Sequence, residues 1–391
     1  MNTSTTSAPM TAPPPRQPLS APPEKPGFDS TSEQPRRTTS PRLPVGMANV
    51  GFWVVAAVAG LVWSIPSRQG LGYDQLLGVL VSLFAIQTLF DFHAAHRCEL
   101  APNPRRIGAF LSVWARSAVV HCALLALTGT VILLSWRTFQ SFVPGVLGML
   151  GLLVVARPVL LRLTGAQWHS PIHSDGLEIV PVSTPVGAFT GGYVGVSRRS
   201  PLLVPVEWMS QLPLRELEAE LLRRKFQRSA GHPLKAVSAA IIWNVAGAYL
   251  AQWVLAGNQL PAIQLLIGFA SWMTLWTFLG LLVFPSWTHR AVFATDRAVG
   301  DSTPGLGDWI RRFPSLVGED GHLSARMEST FYPIPSAERR FAMLQRPTPT
   351  SVWGDVARTN LYFSLCGLTP IGRAVHCNLG RPVCWILPPN T

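Results

Sequence analysis

The sequence predicts an α-helical polytopic membrane protein with six transmembrane helices and a cytoplasmic α+β domain built from two segments. Three observations carry this prediction. Of 391 residues, 48% are hydrophobic and only 13% are charged, which is apolar-rich and charge-poor for a soluble chain. Six apolar stretches approach the roughly 20 helical residues needed to cross a bilayer core. The cations gather in alternate connections, the pattern expected when positive loops stay on the cytoplasmic side.

Residues 1–45 form a Pro-, Ser- and Thr-rich tail. Such a composition buries too little apolar surface to offset ordering entropy, so the tail is expected to be disordered. It is not the short basic-plus-apolar leader of a cleavable signal. Residues 46–163 then carry four predicted spans: Met47–Ile65, Leu76–Phe92, Trp114–Trp136 and Phe142–Leu161. Residues 164–235 hold an alternating stretch, Tyr193–Ser197, that reads as a strand, followed by a helix over Leu214–Arg228. Residues 236–284 hold two further spans, Ala236–Leu255 and Ile263–Phe284, joined by the short loop Ala256–Pro261. Residues 285–345 resume the domain, and 346–391 form an extension that no motif explains.

Arg36, Arg37 and Arg42 precede the first span. Arg97, Arg105 and Arg106 lie between the second and third, and Arg157 and Arg162 close the fourth. The alternate loops carry only Arg68 and Arg137. Both termini and both domain segments are therefore expected in the cytoplasm, with the chain multi-pass in the inner (plasma) membrane.

A net charge of +12 could suggest nucleic acid, but no nucleic-acid motif is present and the cations flank apolar spans. Membrane lipids are the simpler partner. Five cysteines (98, 122, 366, 377 and 384) are scattered, with no paired C-x-x-C knuckle and no secreted disulfide framework. His376 and Cys377 with Cys384 invite a metal reading, though idle buried thiols are commoner.

The run Leu212–Gln227, LPLRELEAELLRRKFQ, resembles the active-site helix of membrane zinc metallopeptidases, the family of the bacterial heat-shock membrane protease and the CAAX prenyl endopeptidases. A helix brings residues four apart onto one face, so H-E-x-x-H presents two imidazoles to one zinc ion. Here Arg223 and Gln227 stand at the histidine positions and Arg224 at the glutamate position. Gly187-Ala-Phe189-Thr-Gly191-Gly192 is similar to the family's N-A-F-A-x-G-G run before its substrate-facing edge strand. Val292–Arg297 resembles E-[YF]-x-A-D-R, with Val292 at the third-ligand position and Asp296 retained. Ser329–Leu344 is similar to S-T-H-P-P-x-x-x-R-I-x-x-L, matching at Ser329, Thr330 and Arg339. The resemblance implies a degenerate zincin-like fold over about 176–344.

The same residues argue against zinc chemistry. An arginine offers no lone pair and repels a dication. A valine coordinates nothing, and an amide oxygen is a weak zinc ligand. The expectation is therefore a non-catalytic pseudoprotease with no cofactor, serving as scaffold, regulator or binder of an extended peptide or membrane-protein client along Tyr193–Ser197. The alternative is an active zinc metalloendopeptidase with rearranged ligands, for which His169, His173, His232 and His289 are the nearby candidates.

Two further readings stand beside these. Leu212–Arg228 could be an ordinary amphipathic helix, its cations either solvated or, as Arg223, Arg224, Lys225 and Arg228, contacting anionic lipid. Arg116, His121 and Asn244 inside apolar spans raise transport as a third-ranked function. The oligomeric state is not legible.

Overall fold

A computed structural model describes residues 42–64, 72–100, 107–174, 176–184, 189–197, 199–255, 260–300, 303–318, 324–346 and 353–387. Six of its helices are long and apolar enough to cross a bilayer. They are α1 (Arg42–Ser64), α2 (Tyr73–Ala95), α3 (Ile107–Phe139), α4 (Val143–Leu163), α7 (His232–Leu255) and α8 (Ala262–Gly300). Each coincides with one of the expected apolar stretches, save that Ile65 lies outside the described residues and Phe142 is the N-cap of α4. The expected tail lies outside the described residues except for its last four, Arg42–Val45, which are the first turn of α1.

Between α4 and α7 the chain leaves the bundle. It forms β1 (Gln167–Trp168), β2 (Ile172–Ser174), β3 (Leu177–Ser183), β4 (Gly192–Tyr193) and β5 (Leu202–Pro205), then α5 (Val206–Gln211) and α6 (Leu214–Ser229). The sheet order is β1-β3-β5-β4, with β2 also paired to β3. β3 and β5 are parallel, and β4 is antiparallel to β5 with Tyr193 opposite Leu202. The predicted strand Tyr193–Ser197 is thus cut to its first residue, which pairs together with Gly192. Residues 194–197 are bends that turn straight back toward β5, closed by Ser200 N donating to Ser197 O at 3.0 Å.

Two glycines set the entry to this edge. Gly191 has φ +70, and a Cβ there would lie 2.0 Å from Leu203 O. Gly192 has φ +132. Only glycine takes these conformations at no steric cost.

After the hairpin, α8 continues unbroken from the apolar stretch through Pro285 to Gly300. The boundary expected at residue 285 therefore falls inside one helix. α9 (Leu306–Val317), α10 (Ala325–Phe331) and α11 (Ala337–Leu344) complete the domain. Its core gathers Trp208, Trp309 and Phe313 with Leu177, Ile179, Leu202 and Val204 of the sheet. The indoles of Trp208 and Trp309 meet edge to face at 5.0 Å.

Close approach of α7 and α8 is set by Gly247, where a Cβ would strike the Trp276 ring at 2.4 Å. Trp276 Nε1 donates to Trp243 O at 2.8 Å, and Trp272 Nε1 to Gly247 O at 3.0 Å. Small residues that admit a neighbouring helix, and polar groups that bond across it, are what hold helices together in lipid.

The C-terminal extension is the largest departure from expectation. α12 (Val356–Phe363), α13 (Ile371–Ala374) and the short turns around them are almost wholly buried as far as Leu387. This segment occupies the interior of the helical bundle. Tyr362 Oη donates to Leu153 O of α4 at 2.7 Å, and Asn244 Nδ2 of α7 donates to Asn360 Oδ1 at 3.0 Å. Arg373 Nε reaches Asp91 Oδ2 of α2 at 2.9 Å. The His121 ring of α3 lies 5.9 Å from that of Trp385. Irregular backbone is tolerated at membrane depth only where protein surrounds it, and here the spans do so.

Candidate functional site

α6 exposes neither of the arginines that the motif resemblance sets at ligand and base positions. Arg223 is fully buried and Arg224 nearly so. Glu220 lies three and four residues ahead of them, the spacing at which helical side chains meet. Arg223 Nη1 donates to Glu220 Oε2, and Arg224 Nε to Glu220 Oε1, both at 2.6 Å.

From α8, Asp296 Oδ1 accepts from Arg223 Nε at 2.7 Å. From α11, Arg340 Nε donates to Asp296 Oδ2 at 2.7 Å and Nη2 to Oδ1 at 3.0 Å. Burial pulls the Arg223 pKa down, but the Asp296 and Glu220 carboxylates outweigh it and leave the guanidinium harder to deprotonate than usual. The result is a buried chain of alternating charge, Arg224–Glu220–Arg223–Asp296–Arg340. It joins three elements from distant parts of the sequence.

Beside this chain lies a cavity of about 80 Å³. Gln227 and Val292, which the motif resemblance sets at the second and third ligand positions, both line it, as does Tyr193 of β4. Arg223 meets Asp296 one turn before Gln227 on α6 and one turn after Val292 on α8. The two helices therefore run in opposite directions where they meet. Tyr193 Oη donates to Arg224 O at 2.8 Å and fixes the edge strand to α6. Burial pushes its hydroxyl pKa up to about 12, so it stays a donor at any ordinary pH.

The remaining motif residues have local roles. Phe189 is buried, and Gly187 lies outside the described residues. Ser329 Oγ donates to Arg326 O at 3.1 Å within α10, which also carries Thr330. Arg339 Nη1 donates to Glu328 Oε1 at 3.1 Å. The arginine that reaches Asp296 is its neighbour, Arg340, which the motif match passed over.

The four cations proposed for lipid contact also separate. Only Lys225 is exposed. Arg228 is half-buried with its Cζ 6.0 Å from the centre of the Tyr193 ring, and Arg223 and Arg224 are turned inward by Glu220. The i,i+3 and i,i+4 spacing to Glu220 was visible in the sequence and would have signalled this.

Zinc does not fit the residues present. Among the described residues no three His, Cys, Asp or Glu side chains gather closely enough to hold a metal ion. His289 Nε2 donates to Tyr332 O at 2.8 Å, His169 Nε2 sits 2.8 Å from Ser183 Oγ, and His173 is exposed on β2. His232 packs edge-on against Phe226 at 6.0 Å. Cys366 Sγ contacts Asn244 Oδ1 at 3.6 Å. For transport, Arg116 is exposed on α3, while His121 and Asn244 face the C-terminal segment.

Comparison of the chain with family models, curated proteins and solved structures gives no match.

Proposed function

We propose that this chain is a multi-pass membrane pseudoprotease: a metallopeptidase-like domain whose zinc centre has been replaced by an ion-pair lock, acting as a scaffold, regulator or peptide-binding protein. One observation carries the reading. The Arg223 guanidinium, at the first ligand position, is clasped between Glu220 of its own helix and Asp296 of α8. A fixed positive charge thus stands where the family gathers lone pairs for a dication. The scaffold of two facing helices and an edge strand at Tyr193 is kept, and the chemistry is gone.

On this reading the edge strand binds extended backbone by strand addition. β4 ends the sheet order, the position at which an added strand would pair. By the distribution of cations, the domain and both termini face the cytoplasm at the inner membrane.

The test combines elemental analysis with a binding assay on detergent-purified full chain. Substoichiometric zinc, with retention but no cleavage of an unfolded membrane-protein substrate, is the expected outcome. One zinc per chain with chelator-sensitive cleavage establishes the active metalloendopeptidase instead. Absence of both retention and cleavage leaves a structural membrane protein.

A further inference from the structure

We propose that the cavity between the span ends and the domain is a phosphate-binding site whose ligand is the headgroup of an anionic membrane lipid. The inference stands on the charge and shape of the cavity and does not depend on the metallopeptidase resemblance.

Arg157, Arg224 and Arg358 line the cavity, with Asp355 the one carboxylate among the described lining residues. Adding the adjoining chain brings in Arg223 and Arg340 against Glu220 and Asp296. Five guanidinium groups then face three carboxylates, so the site stays positive after every pair is formed. Arg358 Nη1 is held by Asp355 Oδ2 at 3.1 Å, and Arg224 by Glu220.

Arg157 differs from the others. It forms no ion pair among the described residues, and its guanidinium lies 4.9 Å from the centre of the Tyr362 ring. Its Nε is buried with no hydrogen-bond partner. A buried donor left unpaired is costly, and the side chain that carries it lines the cavity, where an anion would meet its charge.

The chemistry and dimensions point to phosphate. The arginine fork matches phosphate oxygens with two parallel bonds. A cavity of about 80 Å³ has room for a group as small as a phosphate.

The placement points to lipid as its source. Arg157 lies six residues before the end of α4, about 9 Å along the axis, and His232 and Pro233 open α7. Val154 of α4 and Val237 of α7, both on spans, supply an apolar wall beside the cations. A polar head with an apolar continuation suits that junction, and anionic headgroups are drawn to clustered cations there.

The experiment is native mass spectrometry and thermal melting of the full chain, delipidated in neutral detergent. Phosphatidylglycerol, phosphatidylcholine and inorganic phosphate are added in separate arms. We expect retention of one phosphatidylglycerol and a raised melting temperature, with phosphatidylcholine inert. Arg157→Gln should weaken retention by roughly tenfold or more, the worth of one charged hydrogen bond. Arg157→Lys should recover part of it, and Asp355→Asn, which removes the opposing charge, should tighten it.

Should Arg157→Gln fail to fold, the direction of the Asp355→Asn effect decides. Equal retention of both lipids, or an Asp355→Asn variant no tighter than the parent chain, overturns the proposal. So does protection by inorganic phosphate with none from lipid. Displacement of lipid by an extended peptide would assign the cavity to the peptide and overturn it as well.

Discussion

Arg223 Nε donates to Asp296 Oδ1 at 2.7 Å across 73 positions of sequence and an intervening membrane hairpin. This bond ties the segment before the hairpin to the segment after it, as does the ion pair between Arg312 Nε of α9 and Glu216 Oε2 of α6 at 2.6 Å. Arg340 on the other side of the same carboxylate brings in α11. The arrangement is costly to break, because each partner is desolvated.

Asp296→Ala should therefore be severely destabilising. It leaves the three buried guanidinium groups of the chain with one carboxylate, Glu220, and removal of one partner from a buried pair costs about 3–5 kcal/mol. A loss of the folded peak in detergent size-exclusion, with Asp296→Asn intermediate, is the expected outcome. Near-native behaviour of the alanine variant removes the lock.

On the pseudoprotease reading, placing the zinc-peptidase ligand set in this chain should create metal affinity. The four-fold variant Arg223→His, Arg224→Glu, Gln227→His and Val292→Glu is expected to bind one zinc per chain where the parent chain binds none. Gln227 and Val292 already share one cavity beside Arg223, so the new donors would converge. A variant that folds and binds no zinc would count against the ancestry.

Tyr193→Phe removes the donor to Arg224 O while leaving the ring in place. The expected cost is about 0.5–1.5 kcal/mol, read as a small melting shift. Binding of an extended peptide should weaken as well, since β4 loses its tether to α6.

The C-terminal segment should loosen in mild acid. Burial, then the Arg42 charge, lowers the His376 pKa to about 4. The unfolded imidazole titrates near 6.5, so it binds a proton first as pH falls. Stability is complete above about 6.5 and declines toward about 4. Limited proteolysis after residue 353 should accelerate over that window, and His376→Gln should flatten the dependence.

Arg373→Ala should release the same segment at neutral pH. It strands Asp91, which is fully buried in α2 and also accepts from Trp114 Nε1 at 3.1 Å and Gln87 Nε2 at 3.2 Å. A buried charge losing its partner costs about 3–5 kcal/mol. Protease sensitivity confined to the C-terminal segment is the expected readout, with Asp91→Asn in the same chain partly rescuing it.

Hydropathy and spacing determined the six long apolar helices, because burial in lipid and helical periodicity are local properties of a run of residues. The α6 helix was legible for the same reason, Leu214–Arg228 expected against Leu214–Ser229 found. The partners of its arginines were only half legible: Glu220 follows from spacing, while Asp296 and Arg340 arrive from sequence-distant elements. The strand at Tyr193 was overestimated, since alternation predicts extension but not the turn at 194–197.

Nothing local announced that residues 353–387 enter the bundle. Asn244 and His121 read as isolated polar groups in apolar spans, and groups more than a hundred positions away meet them; Asp91, which the sequence reading did not single out, is met by Arg373 as well as by its neighbours on α2 and α3. A lone polar side chain at membrane depth declares a need for a partner without naming it. Only the packed fold, which brings Arg373, Asn360 and Trp385 to those three, decided how that need is met.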